Sequence, residues 1–164
     1  MNLSEVVVRA DDTMEMLLEK VRLATILGTF QSTLTNFPYL RKIWQKNTEE
    51  ERLLGVSLTG IMDNAFTNGS GFHDAYATNK FCGDEDCTLP DLLEDLKQHA
   101  INTNIAFANS LGIEPSTSIT CVKPSGTVSQ LVNSASGIHS RHSDYYIRSV
   151  RGDNKDSLTK FLID

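Results

Sequence analysis

Residues 118–137 read SITCVKPSGTVSQLVNSASG, and the fold turns on how this stretch is divided. Ser118–Val122 is apolar and β-branched enough for a short strand, and Pro124 prevents its simple continuation because it has no N–H for a ladder. Ser125, Gly126 and Thr127 place a flexible backbone position between two hydroxyls, and Val128, Leu131 and Val132 suit the buried side of a short helix. A strand, loop and helix in that order would aim several N–H groups, the hydroxyls of Ser125, Thr127 and Ser129, and a positive helix end at one point. An oxyanion fits there. The competing reading is that Pro-Ser-Gly is a turn and nothing more. The stretch is not a Walker A loop, and the chain has no GxGxxG fingerprint, so neither common nucleotide fold is supported.

Upstream, Leu3–Arg9 reads as a buried strand. Asp11 or Asp12 can cap a helix beginning near Thr13, with Leu17, Val21, Ala24 and Leu27/Gly28 along one face. Pro38 interrupts the segment that follows, and Arg41, Lys42 and Lys46 make a basic, solvated surface. Leu54, Leu58, Ile61 and Ala65 recur at helical spacing, which predicts a helix over 49–66, although Gly55 and Gly60 weaken it. Residues 67–89 are rich in turn formers and are expected to be irregular, with His73 an ordinary loop residue. Pro90 opens the clearest helix. Asp91, Glu94 and Asp95 crowd its positive end, the predicted stripe is Leu93, Leu96, Ala100, Thr103, Phe107 and Leu111, and Gly112 ends it. His99 adjoins that stripe as a packing or surface residue.

Downstream, Ser134, Ser136, His139, Arg141 and His142 are candidates for a polar pocket edge. Tyr145–Arg151 suggests a strand leading into a Gly-Asp-Asn turn, and Asp156 can cap a last helix over 157–164.

With 164 residues, 40% hydrophobic and only 7% aromatic, the chain allows one domain with an aliphatic core. It has no apolar run long enough to span a bilayer, and its acidic start lacks the form of a signal peptide, so a cytoplasmic, non-membrane protein is expected. A net charge of -6 disfavours a general nucleic-acid binder. Three cysteines suit a reducing compartment. Cys82 and Cys87 enclose Gly-Asp-Glu-Asp without a nearby second pair of ligands, which favours reduced loop thiols over a metal or redox site.

CVKPSGTVSQLVNSASGIHSRHSDYYIRSVRGDNKD (121–156) resembles the catalytic domain of adenosylcobalamin-dependent, class II ribonucleotide reductases, in particular the monomeric ribonucleoside-triphosphate reductase type. ERLLGVSLTGIMD (51–63) looks like a helix-start segment of that barrel, and NLSEVVVRADD (2–12) is also similar. The resemblance implies that residues 1–164 are part of a ten-stranded α/β barrel, incomplete at both ends. It implies removal of the ribose 2'-hydroxyl by a cysteine thiyl radical, with adenosylcobalamin generating the radical and a cysteine pair supplying electrons. It also carries Pro124, Ser125, Gly126, Thr127 and Ser129 over onto substrate-phosphate binding. The implied partners are a ribonucleotide substrate, a thiol reductant and a complementary N-terminal reductase fragment.

The same resemblance marks departures. The radical cysteine loop would precede Asn2 and is absent, and Met1 stands where the family has one of its reducible cysteines. A thioether cannot form a disulfide, and Cys121 is expected to pack at a strand end, so no catalytic residue is assigned. The break at a cysteine position suggests a split or intein-interrupted gene, with a truncated gene prediction the equal alternative. The expected function is therefore a part of a ribonucleotide reductase that contributes the phosphate loop and is inactive alone. Two alternatives stay open: an inactive fragment or accessory nucleotide- or partner-binding protein, and, less favoured, another nucleotide-binding enzyme.

Overall fold

The computed structural model describes residues 1–147, 149 and 151–163. Strand β1 (Asn2–Val7) pairs in parallel with strand β2 (Leu54–Thr59), Asn2 opposite Leu54 and Val7 opposite Thr59. Parallel neighbours need a crossover, and helices α1 (Met14–Gln31) and α2 (Lys42–Glu51) lie on it. On the other side of β2, Leu54 N–H donates to Ser118 O (2.9 Å), Val56 N–H to Ile119 O (2.8 Å) and Cys121 N–H to Val56 O (3.0 Å). Segment 118–121 therefore adds a third, parallel neighbour through the Val56–Thr120 bridge. The architecture is mixed α/β, with two regular strands among the described residues.

Strand β2 overturns the helix expected over 49–66. Leu54, Gly55, Val56, Ser57 and Thr59 are all buried, and a segment covered on both faces reads as a continuous run whose two-residue period the sequence hides. Helix α2 ends before it, at Glu51, with Arg52 in the left-handed region. Residues 51–63 are thus a helix end, a strand and a short 3-10 turn (Ile61–Asp63) rather than a helix start.

Helix α1 starts at Thr13, whose hydroxyl accepts from Met16 N–H. Asp12 instead receives Arg9 N–H (2.8 Å) and the Lys20 ammonium (2.5 Å). Where α1 crosses the sheet it carries Gly28; a Cβ there would stand 2.6 Å from Leu54 Cδ2, so a larger residue would have to push the buried Leu54 side chain aside. Helix α3 (Ala75–Cys82) and the preceding 3-10 turn (Ser70–His73) lie in the stretch expected to be irregular. Asp74 caps α3 from Tyr76 and Ala77 N–H, and Phe81 stacks on Phe66 with centroids 3.9 Å apart.

Helix α4 (Leu89–Leu111) matches the predicted helix almost to the residue. Its buried face is Leu92, Leu96, Ala100, Asn104 and Ala108, so Leu93, Thr103, Phe107 and Leu111 are displaced from the expected stripe. Asn104 is fully buried because Nδ2 donates to Thr29 Oγ1 (2.8 Å) and Ser116 Oγ (3.1 Å), while Oδ1 accepts Ser116 N–H (2.9 Å). Val6, Val8, Leu17, Val21, Val56, Leu92, Leu96 and Ile119 form the core between α1, α4 and the sheet.

Cys82 and Cys87 form a disulfide, contrary to the reduced loop thiols expected, because α3 and the start of α4 bring their Cα atoms to 6.4 Å. The remaining elements are α5 (Val128–Leu131), a single turn, and α6 (Ser157–Ile163). Asp156 Oδ2 accepts Thr159 N–H at 3.1 Å, as a cap for α6 should. Of the strand expected over 145–151, Arg148 and Val150 lie outside the described residues, and 145–147 are not in a strand. No helix among the described residues is long and apolar enough to cross a membrane.

Candidate functional site

All three sheet segments run in the same direction, so the chain leaves them on one side. In open parallel sheets that side is where ligands bind. From β1 comes Arg9, from β2 come Thr59, Gly60 and Asp63, and from segment 118–121 comes the Lys123–Thr127 loop. Gly60 has φ +79, and a Cβ on it would lie 2.5 Å from Val8 O, so the exit from β2 requires glycine.

The loops are tied to these strand ends by hydrogen bonds, buried around Thr59 and exposed at Arg9 and Arg141. Thr59 Oγ1 lies 2.6 Å from Ser125 Oγ and 3.2 Å from Ala135 O, and accepts Gly137 N–H at 3.0 Å. Gly60 N–H donates to Ala135 O (2.9 Å), and Ala135 N–H donates to Asp63 Oδ2 (2.7 Å). Arg141 Nε donates to Asp63 Oδ1 (3.0 Å), and both Arg141 Nη2 and Arg9 Nη1 donate to Asn133 O (3.0 Å each). Lys123 is held at both ends, its N–H by Ser57 Oγ (3.1 Å) and its ammonium by Glu5 Oε2 (2.8 Å).

Between the loops lies a cavity of about 330 Å³, walled by residues 122–126 and 136–139. Pro124, Ser125 and Gly126 are in that wall, whereas Thr127 and Ser129 are not. Ser125 is 3% exposed and its hydroxyl is engaged by Thr59. Ser129 is fully buried, with its hydroxyl 3.4 Å from Gly126 O. Both hydroxyls therefore serve the loop's own framework. Thr127 is exposed and precedes α5, and among the described residues the N–H groups of Gly126, Thr127 and Val128 have no acceptor. Such free amides can take an anionic oxygen.

Of the predicted pocket edge, Ser136 and His139 line this cavity; Ser134 is buried beside it, Arg141 is engaged with Asp63, and His142 is exposed. Sequence reading missed Thr59, Asp63, Arg9 and Glu5. The available signal was Thr59-Gly60 closing an apolar run, with an acid three residues beyond the glycine.

A second, larger cavity of about 530 Å³ is mostly aliphatic and lies between β2, α4 and residues 120–122. Cys121 lines it and is unpaired. A Cβ on Gly55 would stand 3.0 Å from Cys121 Sγ and 3.1 Å from Met1 Sδ, so the two sulfurs flank the same glycine. Among the described residues no cluster of His, Cys, Asp or Glu could hold a metal ion.

The fold and site define a parallel α/β unit with an anion-suited loop at the strands' carboxyl ends. In sequence the chain is similar to adenosylcobalamin-dependent ribonucleoside-triphosphate reductases. That of Lactobacillus acidophilus is 33% identical over 133 residues, covering 74% of this chain and 17% of the relative. That of Lacticaseibacillus paracasei is 29% identical over 147 residues, covering 84% and 20%; for Lactobacillus gasseri the values are 29%, 150 residues, 85% and 20%. The chain is thus related to these reductases and spans about a fifth of their length. No family model and no solved structure matches it.

Proposed function

We propose that this chain is part of a ribonucleotide reductase that converts ribonucleoside triphosphates to deoxyribonucleotides by thiyl-radical chemistry, and that it contributes the substrate-phosphate loop. The observation that carries the reading is the set of free N–H groups at Gly126, Thr127 and Val128, beside a cavity at the carboxyl ends of three parallel segments. Pro124 and Gly126 shape the loop, Thr127 adds an exposed hydroxyl, and Ser125 and Ser129 brace it from within. Charge-assisted bonds from such donors suit phosphate oxygens. The Lys123 ammonium is already paired with Glu5, so backbone amides rather than a lysine would hold the anion.

In this reading residues 1–164 form one part of a ten-stranded catalytic barrel in a cytoplasmic enzyme. The remaining strands, the radical cysteine and the reducing pair are supplied by other reductase sequence, and a thiol reductant restores the pair. Adenosylcobalamin is the cofactor of the assembled enzyme. A complete cobalamin site is not present in the described residues: the larger cavity offers few polar groups, among them Asn68, Lys97 and Thr120, whereas cobalamin carries a rim of amides that need many partners.

The test is a titration of the isotope-labelled chain with a ribonucleoside triphosphate, followed by amide NMR. The resonances of Gly126, Thr127 and Val128 should shift together and saturate. Shifts confined to other regions, or none at millimolar nucleotide, would reduce the loop to a turn.

A further inference from the structure

Cys82 and Cys87 stand apart from the phosphate loop, and the function proposed above does not use them. Their Cα separation of 6.4 Å falls within the range a disulfide can bridge. Four exposed residues, Gly83–Asp86, separate them, and Gly83 at φ +83 turns the chain back on itself. Both cysteines are partly exposed. Cys82 is the last residue of α3, and Cys87 immediately precedes Thr88, the cap of the 23-residue α4.

We propose that Cys82 and Cys87 form a reversible dithiol–disulfide site that exchanges with small organic dithiols and disulfides, and that the oxidised form latches α3 to the head of α4. The two sulfurs are electrostatically unequal. Negative charge is favoured at the N-terminus of α4, beside Cys87. It is disfavoured at the C-terminus of α3, beside Cys82, where Lys80 in the last turn offsets part of the effect, while Asp84 and Asp86 place an acid near each cysteine alike. The better leaving group is therefore Cys87.

In the reducing direction, one thiolate of the dithiol attacks Sγ of Cys82. The Cys82–Cys87 bond breaks, and Cys87 departs as thiolate and takes a proton. The dithiol's second sulfur then attacks its first, releasing Cys82 as a thiol and leaving the reagent as a cyclic disulfide. Two electrons pass from reagent to protein, and the two protons lost by the dithiol end on the two cysteines. The oxidising direction is the reverse and needs only an organic disulfide: the Cys82 thiolate attacks it to form the mixed disulfide, and the Cys87 thiolate then attacks Sγ of Cys82 and displaces the reagent's thiolate.

The latch has something to hold. Phe81, adjacent to Cys82, stacks on Phe66, whose ring also meets Phe72 edge-on at 5.4 Å. Leu89, two residues after Cys87, lines the larger cavity. Opening the bond releases the 74–88 segment from α4 and leaves the aromatic contacts to hold it. Cys121, unpaired and on the sheet, is an internal control.

The test equilibrates the full chain in graded mixtures of reduced and oxidised dithiothreitol, traps thiols with a maleimide, and reads each cysteine by peptide mass. Cys82 and Cys87 should convert together in one reversible transition without unfolding, while Cys121 labelling stays constant. In the reduced chain Cys87 should react several-fold faster than Cys82, and protease cleavage within 74–88 should be roughly tenfold faster than in the oxidised chain. A Cys82→Ser/Cys87→Ser chain with unchanged circular dichroism should be cleaved like the reduced protein. Independent titration of the two cysteines, bond formation only after denaturation, or cleavage insensitive to oxidation would overturn the proposal. Faster labelling of Cys82 would overturn the assigned direction of attack.

Discussion

A threonine hydroxyl has one proton to give and two lone pairs to receive, and Thr59 uses all three. It can donate to Ala135 O and accept from Ser125 Oγ and Gly137 N–H. Those partners lie 66 to 78 residues away in sequence, so both loops around the smaller cavity depend on one buried side chain. Thr59→Val keeps the shape and removes the hydroxyl, leaving Gly137 N–H and the Ser125 hydroxyl without their partner. The expected loss is about 1–3 kcal/mol in urea unfolding, with Thr59→Ser recovering most of it. If the amides of Gly126 to Val128 hold phosphate, Thr59→Val should also weaken triphosphate binding although residue 59 is outside the cavity wall. Equal stability of the two variants would show that the loops hold themselves. The loop is legible in sequence because Pro-Ser-Gly-Thr encodes its turn locally. For Thr59, the Thr-Gly that closes an apolar run marks a strand end, but nothing near it in sequence signals its distant partners.

At the scale of elements, α4 shows how a helix start can be both written in sequence and sensitive to pH. Thr88 N–H donates to Asp91 Oδ2 at 3.0 Å and its hydroxyl bonds the same oxygen. The Thr88 hydroxyl, and secondarily its backbone N–H, hold the Asp91 carboxyl below its ordinary value of 3.8. A lowered folded value means that the contribution is present above the unfolded value and is lost as pH falls through the folded one. The melting temperature of the wild type should therefore exceed that of Asp91→Asn near neutral pH, with the gap closing as acidification protonates the Asp91 carboxyl in the folded chain. A gap independent of pH would show that Asp91 acts through shape alone. Capping and Pro90 made α4 readable, and the β-branched run Val6-Val7-Val8 did the same for β1. Strand β2 was misread because Leu54, Leu58, Ile61 and Ala65 fit a helical period by accident, and burial on both faces erased the alternation that marks a half-exposed strand. Asn104 was missed on α4 for the opposite reason: a polar residue is buried there because distant Thr29 and Ser116 satisfy it.

At the scale of the molecule, the sheet is small for the apolar surface around it. Leu23, Leu27, Phe30 and Leu34 repeat along α1 and the turn after it, yet are 48%, 67%, 59% and 70% exposed. Ile43 and Trp44 on α2 are about half exposed as well, and the outer edge of β1 has no strand beside it among the described residues. Large exposed apolar patches and open edges mark surfaces that bind something or aggregate. The chain also spans only about a fifth of its relatives' length, and in the proposed barrel the neighbouring strands would close the sheet edges. Two consequences can be measured. The isolated chain should bind a hydrophobic dye in its folded state and self-associate as concentration rises. Adding a polypeptide that carries the rest of a related reductase should suppress the dye signal and raise the melting temperature. A partner binding with 100-fold excess over its dissociation constant adds about 2.7 kcal/mol, which for a chain of this size is a shift of about 5–10 °C. No shift, with the dye signal intact, would mean that these faces are not assembly surfaces and would remove the structural support for placing the chain inside a larger barrel.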